Sequence, residues 1–182
     1  MMAPTTLRVR KRLPLRRLVR LLALGACWSF TLGGGRVRAE ALEAPEYDLK
    51  AGYLAKFPDF IKWPSPGGPI TVGVLGNDPF GHALAGVMKV KRSNRVEDLK
   101  GCQIIFVSKS EQGNLPGIIA ALAGTNIMTV GDADGFVKQG GVLGFVMDGG
   151  KVRFEINTGA AKRAGLEISS RLLKLASKVG SW

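Results

Sequence analysis

The hydrophobic positions of this chain change period several times, and each change marks an element. In YDLKAGYLAKFPDFI (residues 47–61), Leu49, Tyr53, Phe57, Phe60 and Ile61 recur at spacings of 4, 4, 3 and 1, which predicts one helical face. Pro58 has no N–H to donate to the Leu54 carbonyl, so this helix should kink or end there. The turn-forming KWPSPGGP (62–69) follows. Three short apolar runs come next, ITVGVLG (70–76), CQIIFVS (102–108) and NIMTVGD (126–132), each bounded like a buried strand. Between the first two, NDPFGHALAGVM opens with Asn77 or Asp78 as a cap and Pro79 at the first helical position, which predicts a helix. Residues 89–92 alternate weakly, as an edge strand does. LPGIIAALAG predicts a helix stopped by Gly124. GDADG (131–135) reads as strand end, turn and helix start.

The C-terminal third specifies its own register. In GGVLGFVMDGGKVRFEIN (140–157), a two-residue Gly149-Gly150 turn of type I′ or II′ sets Asp148 opposite Lys151. Met147 then pairs with Val152, Phe145 with Phe154, and Leu143 with Ile156. These apolar pairs share one face because side chains alternate along a strand. On the other face Val146 opposes Arg153 and Gly144 opposes Glu155. The outward charges are either an ordinary solvated face or a face kept open for a partner. Asn157 or Thr158 can cap a short helix, TGAAKRA, ended by Gly165. ISSRLLKLASKV predicts a last helix, capped by Ser169 or Ser170, with Ile168, Leu172, Leu175, Ala176 and Val179 as its packing stripe. Strands alternating with helices predict an α/β fold: a single layered domain, a mixed sheet with helices on both faces, and a C-terminal β-hairpin followed by helices.

Charge changes the picture only at the N-terminus. The net charge of the 182-residue chain is +12, but residues 1–39 hold nine Lys/Arg and no acid. The remainder carries a net of about +3, so the basicity does not lie on the folded domain where a nucleic-acid surface would need it. The leader has a basic region to Arg20, an apolar run LLALGACWSFTL (21–32) too short for a bilayer of ~30 Å, and Val37 and Ala39 at the −3 and −1 positions of a cleavage site. Residues 1–39 are therefore expected to be a secretory signal peptide and 40–182 the mature domain, a soluble periplasmic protein without stable membrane insertion. LGAC (24–27) also allows a lipoprotein anchored at Cys27. Cleavage would leave Cys102 as the single cysteine, placed at the start of an apolar strand as a buried thiol.

Catalytic chemistry is hard to assemble from these residues. His82 is the one histidine, and no second His or Cys lies at metal-ligand spacing, so no metal site is expected. GDADG lacks the third oxygen position and closing Glu of a calcium loop. GVLGNDPFG (73–81) is a Gly-rich turn that could bring an anion to a helix N-terminus, but it matches neither nucleotide-binding motif. No G-x-S-x-G occurs, and a lone histidine leaves few routes to an activated nucleophile. An enzyme and a cofactor are not expected. MKVKRSNR (88–95) is the one basic cluster of the mature domain.

Taken in order, YDLKAGYLAKFPDFIKWP, ITVGVLGNDPFG, GCQIIFVS, MTVGD and KVRFEIN with ISSRLLKLA resemble the YfiR family of periplasmic proteins over about residues 47–179. The resemblance implies a compact α/β protein that can dimerise and acts as a repressor. Its implied partner is the periplasmic sensor domain of an inner-membrane diguanylate cyclase, whose inhibition limits cyclic di-GMP and biofilm formation. A different membrane receptor or sensor kinase, served by a small-molecule-binding protein, is the alternative. The family pattern maps onto Arg153, Glu155, Asn157, Ser169, Ser170 and Arg171 as candidate partner or ligand contacts; the competing reading has Arg153, Asn157 and Ser169 tying the last strand to the last helix. The chain departs from the family pattern at Pro58, in the short segment 88–95, and in lacking the cysteines that pair in some relatives.

Overall fold

A computed structural model describes residues 34–64 and 68–182. Residues 1–33 of the expected signal segment 1–39, with the Cys27 alternative, and the centre of the turn at 65–67 lie outside the described residues, while residues 34–39 of that segment are the first of helix α1. The first helix, α1 (Gly34–Lys56), starts well before the expected position and contains Pro45. It ends where Pro58 requires: Phe57–Phe60 form a 3-10 turn, and Ile61 becomes extended. Strand β1 (Ile61–Lys62) then pairs antiparallel with β8 (Glu167–Ile168) in a small two-stranded sheet.

The main sheet has seven strands in the order β3-β2-β4-β5-β6-β7-β9. β2 (Thr71–Leu75), β4 (Ile104–Val107), β5 (Met128–Gly131) and β6 (Leu143–Asp148) are parallel, with β3 (Lys89–Ser93) parallel to β2 at the edge. β7 (Lys151–Asn157) returns antiparallel to β6 in the register that the alternation dictates, from Asp148↔Lys151 to Leu143↔Ile156. Gly149 and Gly150 both have positive φ, 56° and 74°, so the turn is type I′, the form that matches strand twist.

Alternation along the strands builds two cores. Val72, Val74, Ile104, Phe106, Met128, Val130, Phe145 and Phe154 point to one face, where α1 and α4 (Thr158–Arg163) cover them. Ile105, Val107 and Leu75 point to the other face, under α2 (Val96–Leu99) and α3 (Leu115–Ala121). Phe136 joins this second core edge-on to two glycines: a Cβ at Gly141 would come within 2.0 Å of its ring and one at Gly131 within 2.4 Å. The α/β fold with helices on both faces is thus present. Among the described residues no helix is long and apolar enough to cross a membrane.

Four local expectations are overturned. The buried face of α1 is Lys50, Ala51 and Leu54, continued by Phe57, while Leu49 is 50 % exposed. Residues 77–88 form successive turns instead of a helix. There the Asp78 carboxylate accepts from Phe80 N–H at 2.8 Å, and Gly81 sits at φ 52°, outside helical space. Residues 133–140 after β5 are likewise turns, not a helix. Finally, α5 (Ser170–Leu175) is one short helix, not the long one expected. Ser177 N–H and Oγ–H both donate to the Phe154 carbonyl, at 2.9 and 3.0 Å, and the chain continues as β9 (Lys178–Gly180) beside β7. The unfilled edge of β7 captures the tail, which leaves Leu175 62 % and Val179 44 % exposed.

Candidate functional site

The candidate residues fall in three places. Asn157, the last residue of β7, is fully buried and works inward: its Oδ1 accepts from Ala160 N–H at 2.9 Å to cap α4, and its Nδ2 donates to the Val137 carbonyl at 2.8 Å. Ser169 caps α5 by accepting from Arg171 N–H at 3.2 Å, while its own N–H donates to the Phe60 carbonyl. Ser170 and Arg171 are exposed at the start of α5. Arg153 and Glu155 lie on β7, on the face opposite the α1 core, Arg153 exposed and Glu155 half-buried beside Lys178 of β9. Gly144 does not simply clear space for Glu155; a Cβ there would meet the Val137 side chain at 3.2 Å.

Arg153 also borders a groove of about 780 Å³ between the second half of α1 and the hairpin tip. Pro45, Glu46, Leu49 and Tyr53 form the helical wall; Met147, Gly150, Lys151, Val152 and Arg153 form the other. Leu49 and Met147 (52 %) are two of the five large apolar side chains left exposed among the described residues. Met147 is on the inward face, as its pairing with Val152 predicts, but the hairpin tip projects past the cover of the helix. Behind the groove, the rings of Tyr53, Phe57, Phe145 and Phe154 pack with centroids 5.4–6.2 Å apart, in stacked, tilted and edge-to-face pairs.

A feature missed from sequence holds α1 in place. Lys50 is only 2 % exposed, and its Nζ pairs with Asp132 Oδ2 at 2.7 Å and Glu46 Oε1 at 2.5 Å. Tyr47 O–H donates to the same Asp132 oxygen at 2.7 Å, and Lys50 Nζ lies 4.2 Å from the Tyr47 ring centroid. Burial of a cation requires such pairing. The signal was available: Lys50 interrupts the face formed by Tyr47, Ala51 and Leu54, and Asp132 directly follows a buried strand. Glu46, which lines the groove, therefore has its charge compensated.

The remaining titratable candidates stay on the surface or in the core. His82 is exposed, and the described residues contain no group of three His, Cys, Asp or Glu able to hold a metal ion. In the basic segment, Arg92 is engaged by Asp78 at 2.5 Å and by the Gly81 carbonyl at 2.9 Å. Cys102 is a buried free thiol, its pKa pushed up by burial and partly restrained by the nearby Lys91 cation. A dimer joined through it has no exposed sulfur to use.

Comparison with known proteins adds a family and a fold. A family model described as YfiR/HmsC-like matches residues 47–177, well over half of the chain. No curated protein matches the sequence significantly. Among solved structures, a conserved domain protein from Vibrio cholerae O1 biovar eltor strain N16961 is similar, with a TM-score of 0.52 and 14 % identity. So is the ABC domain in complex with L-Trp from Streptococcus pneumonia, with the same TM-score and identity. Each alignment covers 74 % of this chain and 60 % of the other, so this chain spans less than two thirds of their length. At that identity the likeness is one of fold.

Proposed function

The chain belongs to the YfiR/HmsC-like family, and from that membership we propose that it is a periplasmic regulator that binds the sensor domain of an inner-membrane diguanylate cyclase and holds the enzyme inactive. The observation that carries this reading is the family match over residues 47–177, which takes in every strand except β9. The reading includes export, with cleavage ahead of Glu40, and a role in limiting cyclic di-GMP without catalysis by this chain. Arg153, Glu155, Ser170 and Arg171 are its contact residues, because their side chains or positions are open to a partner. Asn157 and Ser169 hold the frame that presents them, through the caps on α4 and α5.

The mechanism is a population shift. A regulator that binds only the inactive cyclase conformation lowers output by its differential affinity for the two states. Moving a cyclase from almost fully active to almost fully inactive needs a ratio of about 10⁴. A releasing signal acts by reducing that ratio. An Arg153 guanidinium suits this use, since it can form a bidentate pair with a partner carboxylate.

The test is intracellular cyclic di-GMP in the source bacterium after deletion of the gene, with complementation by the full chain or by a form lacking residues 2–39. The expected result is a rise on deletion that only the exported form reverses. Unchanged cyclic di-GMP in every condition where the gene is expressed overturns the reading.

A further inference from the structure

The seven-stranded sheet has two end strands, β3 and β9, and they are finished differently. β3 exposes Lys89, Lys91 and Arg92 along its length. Exposed cations on an edge strand oppose pairing with another chain. β9 carries one cation, Lys178, followed by Val179 at 44 % exposure and half-buried Gly180. Leu175, just before this tail, is 62 % exposed. Two of the five large apolar side chains left exposed among the described residues therefore lie in or immediately before β9.

The backbone of β9 is open at its centre. Asn157 N–H donates to the Val142 carbonyl on the β6 side at 2.9 Å, and the Phe154 carbonyl accepts from Ser177 N–H on the β9 side at 2.9 Å. Backbone groups alternate in direction along a strand, so Ile156 turns its N–H and carbonyl toward β9. Ile156 is paired with Val179 in a parallel ladder, where its two bonds go to the flanking residues, Lys178 and Gly180. The Val179 N–H and carbonyl therefore point away from β7, toward a side with no further strand among the described residues.

Pairing with a second copy separates the two edges. A two-fold axis perpendicular to the sheet brings identical strands together antiparallel, with the residue at the axis opposite itself. For β3, an axis at Val90 sets Lys89 against Lys91, an axis at Lys91 sets that lysine against its copy, and an axis at Arg92 does the same for arginine. Like charges directly opposite one another are destabilising. For β9, an axis at Val179 sets valine against valine and Lys178 against Gly180, with no like charges opposed.

We propose that the protein forms a two-fold dimer by antiparallel pairing of β9 with β9 of a second copy, centred on Val179, so that one sheet runs through both protomers. At the axis each Val179 N–H donates to the carbonyl of the partner's Val179, and the two side chains meet on the face that Val179 shares with Ile156. An axis perpendicular to the sheet keeps equivalent faces on one side. The exposed Lys151 and Arg153 of both protomers therefore point the same way, and a dimeric partner would be met twice. The dimer itself does not rest on the cyclase reading.

The experiment uses protein purified after expression of the full chain in the source bacterium. Analytical ultracentrifugation of wild type should show a concentration-dependent dimer. Val179→Lys and Val179→Asp each set like charges at the axis and should each weaken the dimer about tenfold or more, with an unchanged circular dichroism spectrum. An equimolar mixture of the two variants should restore it as a heterodimer. Val179→Cys should close a disulfide between protomers under copper–phenanthroline oxidation, because residues facing each other at such a pair lie about 5.5 Å apart between Cα atoms. Val87→Cys, 55 % exposed and away from the edge, should give little, and Cys102 is buried. If Val179→Lys fails to fold, the two disulfide yields decide. A wild-type monomer at every accessible concentration, a dimer that Val179→Lys leaves intact, or equal disulfide yields at positions 87 and 179 overturns the inference. The cyclase reading keeps its own test in cyclic di-GMP.

Discussion

The two halves of the sheet are built under different rules. β2, β4 and β5 are covered on both faces, and their residues read as near-continuous apolar runs: all four residues of Ile104–Val107 are buried. β6 and β7 are packed on the α1 side, and on the other face turn residues 136–137 lie against Gly144 and Asn157 but leave Lys151 and Arg153 exposed. β7 accordingly alternates, with Val152, Phe154 and Ile156 inside and Lys151 and Arg153 outside. The first half spends its side chains on stability. The second leaves the outward face of its hairpin exposed at Lys151 and Arg153, where another protein has access. Substitutions should therefore separate sharply in what they damage.

The largest effect should come from the covered half. Phe106 is fully buried, with its ring 4.7 Å from that of Phe80, so Phe106→Ala should destabilise by about 3–5 kcal/mol in a denaturant titration. Next is the latch between α1 and the end of β5. Asp132→Ala removes one partner of buried Lys50 and should destabilise by about 3 kcal/mol, less than for a wholly orphaned charge because Glu46 remains. The double change Lys50→Met with Asp132→Leu should recover most of that loss, since a pair replaced by apolar groups of similar volume is often neutral. Asn157→Ala, at the boundary of the halves, should destabilise by about 1–2 kcal/mol through the lost cap and buried hydrogen bonds.

A smaller effect comes from pH. The Cys102 thiol is raised above its ordinary value of 9.0 in the folded chain, so it stays protonated while the unfolded chain ionises. Its contribution is fully present below that ordinary value and declines as pH rises toward the folded value. Melting temperatures of wild type should therefore fall more steeply with pH above about 9 than those of Cys102→Ala, which lacks the ionising thiol. The smallest stability change belongs to the open half: Arg153→Ala should shift stability by less than about 0.5 kcal/mol.

The same division explains what could be read from the chain. The hairpin register was legible because a one-residue slip would put Lys151, Arg153 and Glu155 in the core. The three parallel strands were legible because both their faces are apolar. The tail was not. Ile168, Leu172, Leu175, Ala176 and Val179 have helical spacing, yet the hydrogen bonds offered by the edge of β7 outweighed it over residues 178–180. Leu49 misled for a related reason: it fits a helical stripe, but the true stripe is set by Lys50, whose burial depends on an aspartate 82 residues away. Of the candidate site, Arg153 and Glu155 were placed on the outward face correctly. The groove beside them was hidden, because it depends on how far the hairpin tip projects past α1.

The most direct test of a regulatory role for the outward face of the hairpin compares Arg153→Glu with Lys151→Glu, made together, against wild type in a deletion strain, reading cyclic di-GMP and the melting temperature of the purified protein. The expected result is an unchanged melting temperature with cyclic di-GMP as high as in the deletion. A variant that restores wild-type cyclic di-GMP while folding normally would contradict the claim that the open half of the sheet carries the function.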